Sequence, residues 1–414
     1  MKAYLATAFL ARLADEGVAV ALALLALERT GSPALGAYVL TAWLAPHAVA
    51  APVAGVLAER ARRPRLFHGG ALAVLGTAIA VLGLTVGRAP VWLSVVAAVL
   101  GGSVGPVVTG GLSSLLASLV PDGRARSRAY ALDAAGYNAA AVTAPAAVST
   151  TVAVSSAWPG TALLAVCAGC ASLLAATTLP RPARPSPPSA SDATRPAATE
   201  PPRAPAGALR HRITAGVRAL WAVPPLRALT VATCVAFLGI GGLPVAAVLL
   251  AGDAGDVGGF GDGGSQANGG GVLMAAFAVG GLVGSLGLAR WHRAPEAGRL
   301  ALGSLCATAL ALAGAALAPA FPLTVALFAL AGLGDGPLLT ATLRLRADHA
   351  PDDARTQVFT LGAGLKLTSA AAGAALVGLL AHLRPATLVL GVAALQLAAA
   401  AVLRALDRPP SRNE

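Results

Sequence analysis

Long apolar runs, broken by short clusters of arginine, leave this chain few ways to fold. Twelve stretches have the length of about 20 mostly apolar residues that a helix needs to cross a bilayer. They cover 5–27, 34–57, 67–87, 91–117, 128–153, 159–179, 226–250, 271–289, 299–318, 321–343, 356–381 and 385–405. A water-soluble globule typically has about 25% charged residues. Here 12% are charged and 56% hydrophobic over 414 residues, too apolar for a soluble core to hide and far too apolar for a disordered chain. The reading is an all-α polytopic membrane protein with six spans, a break and six more.

The basic residues orient it. A net charge of +12 and a pI near 10.8 invite a nucleic-acid partner. Yet the cations cluster between spans and aromatic residues are only 4%, too few for base-stacking platforms, so no nucleic acid is expected. With both termini inside, Arg29, Arg88 and Arg384 fall outside, and Arg12 and Lys366 lie within spans. The other 25 of the 30 Lys and Arg are then inside. That asymmetry predicts a multi-pass cell-membrane protein with both termini cytoplasmic. Arg12, Asp15 and Glu16 interrupt the first run, which argues against a cleavable signal.

Three parts are expected: an N-terminal six-helix bundle over 1–179, a cytoplasmic linker over 180–225 and a C-terminal six-helix bundle over 226–414. The linker has nine prolines between Pro180 and Pro205, with Ser, Ala and Arg, and reads as extended. The stretch Leu209 to Val223 is amphipathic and predicts a helix on the membrane surface. The glycine-rich loop from Gly252 to Gly271 reads as a connector; its Gly258–Asp262 fragment is a single imperfect copy of a calcium-binding repeat. No glycine run leads into Gly-Lys-Ser/Thr, so no nucleotide is expected. Cys167, Cys170, Cys234 and Cys306 all lie in apolar runs and predict neither disulfide nor metal site. No cofactor is implied, and a monomer is expected.

The halves echo each other. Gly105-Pro106-Val107-Val108-Thr109 answers Gly336-Pro337-Leu338-Leu339-Thr340, Pro121-Asp122 answers Pro351-Asp352, and the run from Ala125 answers that from Ala354. Shared order and spacing predict a duplication, as in secondary transporters built from repeats.

Ionisable groups in hydrocarbon need a partner or a purpose. Asp15 and Glu16 fall about 15 Å into the first span at 1.5 Å per residue. One of them is a candidate proton-titrating carboxylate, with Arg12, one turn earlier, as part of the coupling group; alternatively, Arg12 holds an acid in a static ion pair. His47, at mid-depth and one turn after Trp43, is a third coupling candidate or simply a packing residue. Asp335 and Lys366 sit at similar depth on consecutive spans. They predict a buried ion pair, or a lysine that meets substrate. Tyr137, Asn138 and Trp43 are candidate cavity-lining groups. Asp133 is expected shallower, paired with Arg126 or Arg128. Six scattered histidines make no catalytic cluster, so no enzyme is expected.

Gly55-Val56-Leu57-Ala58-Glu59-Arg60-Ala61-Arg62-Arg63 resembles the major facilitator superfamily signature G-x-L-A-D/E-R-x-G-R, with Arg62 in place of the second glycine. The resemblance implies the major facilitator fold: 12 transmembrane helices in two pseudo-symmetric six-helix bundles. It also implies that Gly55, Glu59, Arg60 and Arg63 form a conformational gate, a charge relay against neighbouring helix ends that locks the outward-facing state. Leu13-Ala14-Asp15-Glu16-Gly17, Thr30 to Gly36, Ala45-Pro46 and Pro52 to Gly55 are similar to the macrolide-efflux and siderophore-exporter branch of drug:proton antiporters. Ala144-Pro145 stands where drug antiporters carry Gly-Pro. The resemblance implies a secondary active transporter, an efflux antiporter exchanging a small amphipathic drug or metabolite for protons by alternating access. A proton-coupled importer of a small metabolite and a non-transporting polytopic protein are the alternatives.

Overall fold

The computed structural model describes residues 1–31, 34–121, 123–179, 208–258, 263–291 and 295–406. Their regular structure is helical. The nonapeptide-like fragment after Gly258 and the proline-rich stretch lie outside the described residues.

Helix α1 spans Lys2–Thr30 and stops at Gly31, whose φ of +71° lets its N–H close on the Leu27 carbonyl. The expected second span is two helices, α2 (Ala34–Leu44) and α3 (His47–Arg60), bent by 48°. Pro46 lies in the break and has no N–H for the ladder, which accounts for the bend. After α4 (Pro64–Thr85), the next span joins α5 (Val91–Ser103), a π-helical turn over Val107–Gly111 and α6 (Leu112–Leu119). The wider turn directly follows Pro106. Helices α7 (Arg124–Val154) and α8 (Ala157–Thr178) follow. The amphipathic stretch is α9 (Ala208–Ala222), and α10 (Pro224–Gly258), α11 (Gly263–Arg290), α12 (Ala297–Ala316), α13 (Phe321–His349), α14 (Arg355–Leu379) and α15 (Pro385–Leu406) complete the chain.

Among the described residues, nine helical segments are long and apolar enough to cross a membrane, or ten if α2 and α3 form one bent span. Helices α1 and α7, at 29 and 31 residues, are long enough but too polar to pass on apolarity. The first carries Arg12, Asp15, Glu16, Glu28 and Arg29; the second, beyond its charged first turns, carries Gly136, Tyr137, Asn138, Thr143, Ser149, Thr150 and Thr151.

Packing is by small residues, as expected where lipid supplies no hydrophobic drive between helices. A Cβ on Gly332 would overlap the Phe277 carbonyl, so α13 lies backbone to backbone on α11. The largest core draws on residues 4 to 179, joined by Leu343, Ala347 and Phe359; two others come wholly from residues 228 to 403.

The two parts meet on the face that carries the arginine clusters. There Tyr130 stacks on Phe359 at 6.3 Å, Ser114 donates to Thr356 at 3.4 Å, and α14 runs so close to the π turn that a Cβ on Gly110 would press on the Phe359 backbone. Helix α9 packs against α3, α10 and α14 on this face, with Leu220 in a cluster with Val358 and Leu361.

Candidate functional site

A cavity of about 350 Å³ lies between helices α1–α8 and the helices after α9. Each wall is one face of a helix, read off by the 3.6-residue period. On α13 the face is Asp335, Leu338, Leu339, Thr342, Leu343 and Arg346; on α14 it is Phe359, Ala363, Lys366 and Leu367. Tyr137 and Asn138 come from α7, Thr233 and Phe237 from α10, and Thr109 and Gly110 from the π turn. Asp15 and Glu16 enter from α1, Trp43 and His47 from either side of the α2–α3 break.

Glycines seat Trp43 and His47. Gly101 and Gly102 at the end of α5 and Gly105 just beyond it make a bare strip, and a Cβ at Gly101 or Gly102 would overlap Trp43, while one at Gly105 would overlap His47 Nε2. His47 Nδ1 lies 3.2 Å from the Leu44 carbonyl in its own turn. His47 thus lines the cavity but is largely buried against a neighbouring helix. Asp15 lies near the Trp43 side chain in the cavity wall.

Arg12 does not pair with either acid, as the static reading required. Its guanidinium forks onto Asp133: Nη1 donates to Oδ1 at 2.9 Å and Nη2 to Oδ2 at 3.0 Å. Ser113 donates to Oδ2 at 2.7 Å and Tyr4 to Oδ1 at 2.8 Å, and Arg12 Nη2 also donates to Ser113 Oγ at 3.0 Å. Arg12 and Asp133 are 1% and 0% exposed. Helical side chains lean toward the N-terminus, which turns Arg12 away from Glu16 and toward Tyr4. A bidentate carboxylate then outcompetes a single contact. Asp133 is correspondingly not shallow: it lies nine residues beyond Arg124, roughly 14 Å into α7 at 1.5 Å per residue. Arg126 instead donates to the Ala117 and Val120 carbonyls that end α6, and Arg128 is exposed.

Asp335 and Lys366 share the cavity without closing an ion pair within 4.0 Å; Lys366 and Asp335 lie within electrostatic reach only. The Lys366 ammonium sits over aromatic rings, 4.4 Å from the Phe237 centroid and 5.8 Å from that of Tyr137. Tyr137 receives Arg12 on its ring at 3.9 Å, so two cations share one ring. Glu16, exposed to the cavity, also lies within reach of Lys366. Asn138 donates to Ser285 on α11 at 3.0 Å, tying α7 to α11 at the cavity wall.

The signature segment sits at the contact between the two parts. Glu59 accepts from the Gln357 backbone N–H at 3.1 Å and from Gln357 Nε2 at 2.5 Å, so a carboxylate from α3 caps the first turn of α14. Gly55 allows the approach: a Cβ there would meet Thr360 Oγ1 at 2.5 Å and Gln357 Cα at 2.8 Å. Arg60 and Arg63 are exposed, with no hydrogen bond or ion pair among the described residues.

Sequence reasoning placed Arg346 with the inside cations because the span was taken to end at 343. Helix α13 runs to His349, which carries Arg346 into the cavity. Phe237 and Thr233 were passed over as ordinary apolar-run residues. No spacing distinguishes them from the rest of α10.

A sequence profile described as Major Facilitator Superfamily matches residues 4–296. No curated protein matches the chain. Among solved structures it is similar to the human organic anion transporter MFSD10 (TETRAN), at 14% identity and a TM-score of 0.75 over 97% of this chain and 99% of that one. It is also similar to a bacterial homologue of the iron transporter ferroportin in an outward-facing state, at 15% identity and a TM-score of 0.72 over 98% of both chains. A bacterial homologue of ferroportin in an outward-facing state with soaked iron gives a TM-score of 0.69 at 15% identity over 99% of both chains. At these identities the likeness is one of fold.

Proposed function

The chain belongs to the Major Facilitator Superfamily, and from that premise we propose that it is a secondary active transporter exporting a small amphipathic molecule in exchange for protons by alternating access. It is a multi-pass membrane protein with a major facilitator fold. We read its crossings as twelve, in bundles of six over 1–179 and 226–414, with α1, α7 and the bent α2–α3 pair completing the count. Residues 180–225 join them.

The observation that carries the reading is the cavity between the two parts. Its walls are mostly apolar, yet it contains three carboxylates, Asp15, Glu16 and Asp335, that close no ion pair with its cations. Carboxylates that line a largely apolar cavity without an ion pair are the groups whose proton affinity changes when a site is wetted from one side and then the other. The arginine-clustered face, taken as cytoplasmic, carries the Glu59 cap and the Tyr130–Phe359 stack, so we read this conformation as outward-facing. Export rather than import rests on the likeness of residues 13–55 to the macrolide-efflux and siderophore-exporter branch. We place the protein in the cell membrane as a monomer with cytoplasmic termini.

Reconstitution into proteoliposomes with an imposed pH gradient and a panel of amphipathic drugs tests this. The gradient is expected to drive a panel compound against its concentration. Asp15→Asn or Glu16→Gln is expected to abolish that coupling while leaving downhill exchange. A flux indifferent to the gradient, or coupling intact in both variants, overturns proton exchange through α1.

A further inference from the structure

Arg346 is as deeply placed as Arg12, at 4% exposed, but finds none of Arg12's company. Its Nε and Nη2 are buried without a hydrogen-bond partner, and no carboxylate of the described residues lies within ion-pair distance. Two guanidinium nitrogens buried without a partner are costly, and native structures rarely keep them so. Such a group persists where its partner arrives from outside the chain.

The surroundings hold it in place rather than neutralise it. Gly362 on α14 leaves the guanidinium room to lie against the helix; any Cβ there would overlap it. Asp335 is on the same face of α13 but eleven residues away, about 16 Å at 1.5 Å per residue. Leu338, Leu339, Thr342 and Leu343 fill the interval. The charge that Arg346 does meet is of its own sign: Lys366, likewise without an ion pair, lies within its electrostatic reach. Two like charges facing one cavity repel each other unless an anion sits between them.

We propose that Arg346 and Lys366 form a binding subsite for an oxyanion, the carboxylate, sulfonate or phosphate head of an amphipathic substrate. The guanidinium offers a planar fork that matches two oxygens, and the ammonium adds a point charge from the facing helix. The apolar part of the ligand lies along Leu339, Leu343 and Phe359. This rests on the transport reading of the cavity and narrows its substrate to organic anions.

Binding measured on the purified full-length protein tests the subsite without requiring transport. The probes are 1-naphthaleneacetate, its uncharged primary amide and 2-(1-naphthyl)ethylamine, titrated by calorimetry in a non-ionic detergent. The carboxylate is expected to bind at least tenfold more tightly than the amide or the amine. Arg346→Gln and Lys366→Gln are expected to erase that preference, and Arg346→Lys to keep part of it. Thermal unfolding guards against misfolding: Arg346→Gln removes an unpartnered buried charge and should unfold no earlier than the parent. No binding of the carboxylate, equal binding of all three probes, or a preference surviving in both Gln variants overturns the proposal. Nanodiscs of phosphatidylcholine with and without phosphatidylglycerol separate the sources of the oxyanion. Weaker naphthaleneacetate binding in the presence of phosphatidylglycerol means that a lipid phosphate also fills the subsite. Carboxylate-selective binding without gradient-driven flux removes the exporter reading and leaves the subsite. Gradient-driven flux without any anion preference does the reverse.

Discussion

Arg12 and Arg346 show how differently two buried guanidinium groups can be treated by one fold. The first is held by a carboxylate, a hydroxyl and an aromatic ring; the second faces a cavity unpaired. Asp133→Asn should therefore leave Arg12 as an uncompensated buried charge and destabilise the protein by roughly 3–5 kcal/mol. Tyr4→Phe, which removes one hydrogen bond, should cost about 1 kcal/mol. Thermal unfolding in detergent checks both, and an Asp133→Asn variant as stable as Tyr4→Phe contradicts the network. Replacing both partners together by Arg12→Met and Asp133→Leu should restore most of the loss, because neither charge is then buried alone. At this scale the sequence was half legible. The scarcity of charge in apolar runs singled out Arg12, Asp15, Glu16, Asp335 and Lys366, and all but Arg12 line the cavity. Their pairing was not readable, because Arg12 and Asp133 are 121 residues apart and no local spacing links α1 to α7.

Whole helices were far easier to read, since a run of apolar residues long enough to span lipid has few other uses. The amphipathic run after the prolines is the helix α9, within a residue of its expected ends. Breaks inside spans were less visible. Pro46 and Pro106 bend or loosen their helices, yet Pro145 and Pro337 sit inside α7 and α13 without ending them. The proline alone does not decide; whether neighbouring helices satisfy the freed carbonyl does. The glycine strip at the end of α5 makes the sharper element-scale prediction. Gly102→Ala puts a methyl group into the Trp43 carbonyl and must push α2 away from α5. It should cost about 1–3 kcal/mol of stability, the usual penalty for overpacking. The same change at Gly169, where a Cβ meets nothing within 4 Å, should be nearly neutral. Paired unfolding curves in one detergent decide it, and equal effects at the two glycines argue against backbone contact at this seam.

For the molecule as a whole, the contact that matters most joins two segments 298 residues apart, Glu59 and Gln357. The signature resemblance expects Glu59, Arg60 and Arg63 to act together against neighbouring helix ends; Glu59 meets the N-terminus of α14, while Arg60 and Arg63 are exposed. A capping interaction is worth about 0.5–2 kcal/mol. Glu59→Ala should therefore shift the balance between closed and open forms of this face roughly 2- to 30-fold toward open. Alkylation of a single cysteine placed at Ser114, in a protein lacking its native cysteines, reads the shift as a faster reaction from the arginine-clustered side. Identical alkylation rates with and without Glu59 would show that the cap does not govern the equilibrium.

Helix α9 touches α3 on one side of the seam and α14 on the other, like a wedge seated across a door and its frame. In the proposed alternating-access cycle, opening of that face parts α9 from one of them. The cluster of Leu220 with Val358 and Leu361 makes α14 the partner it keeps. Each such cycle peels α9 from α3 and reseats it, so the wedge moves as often as the door does.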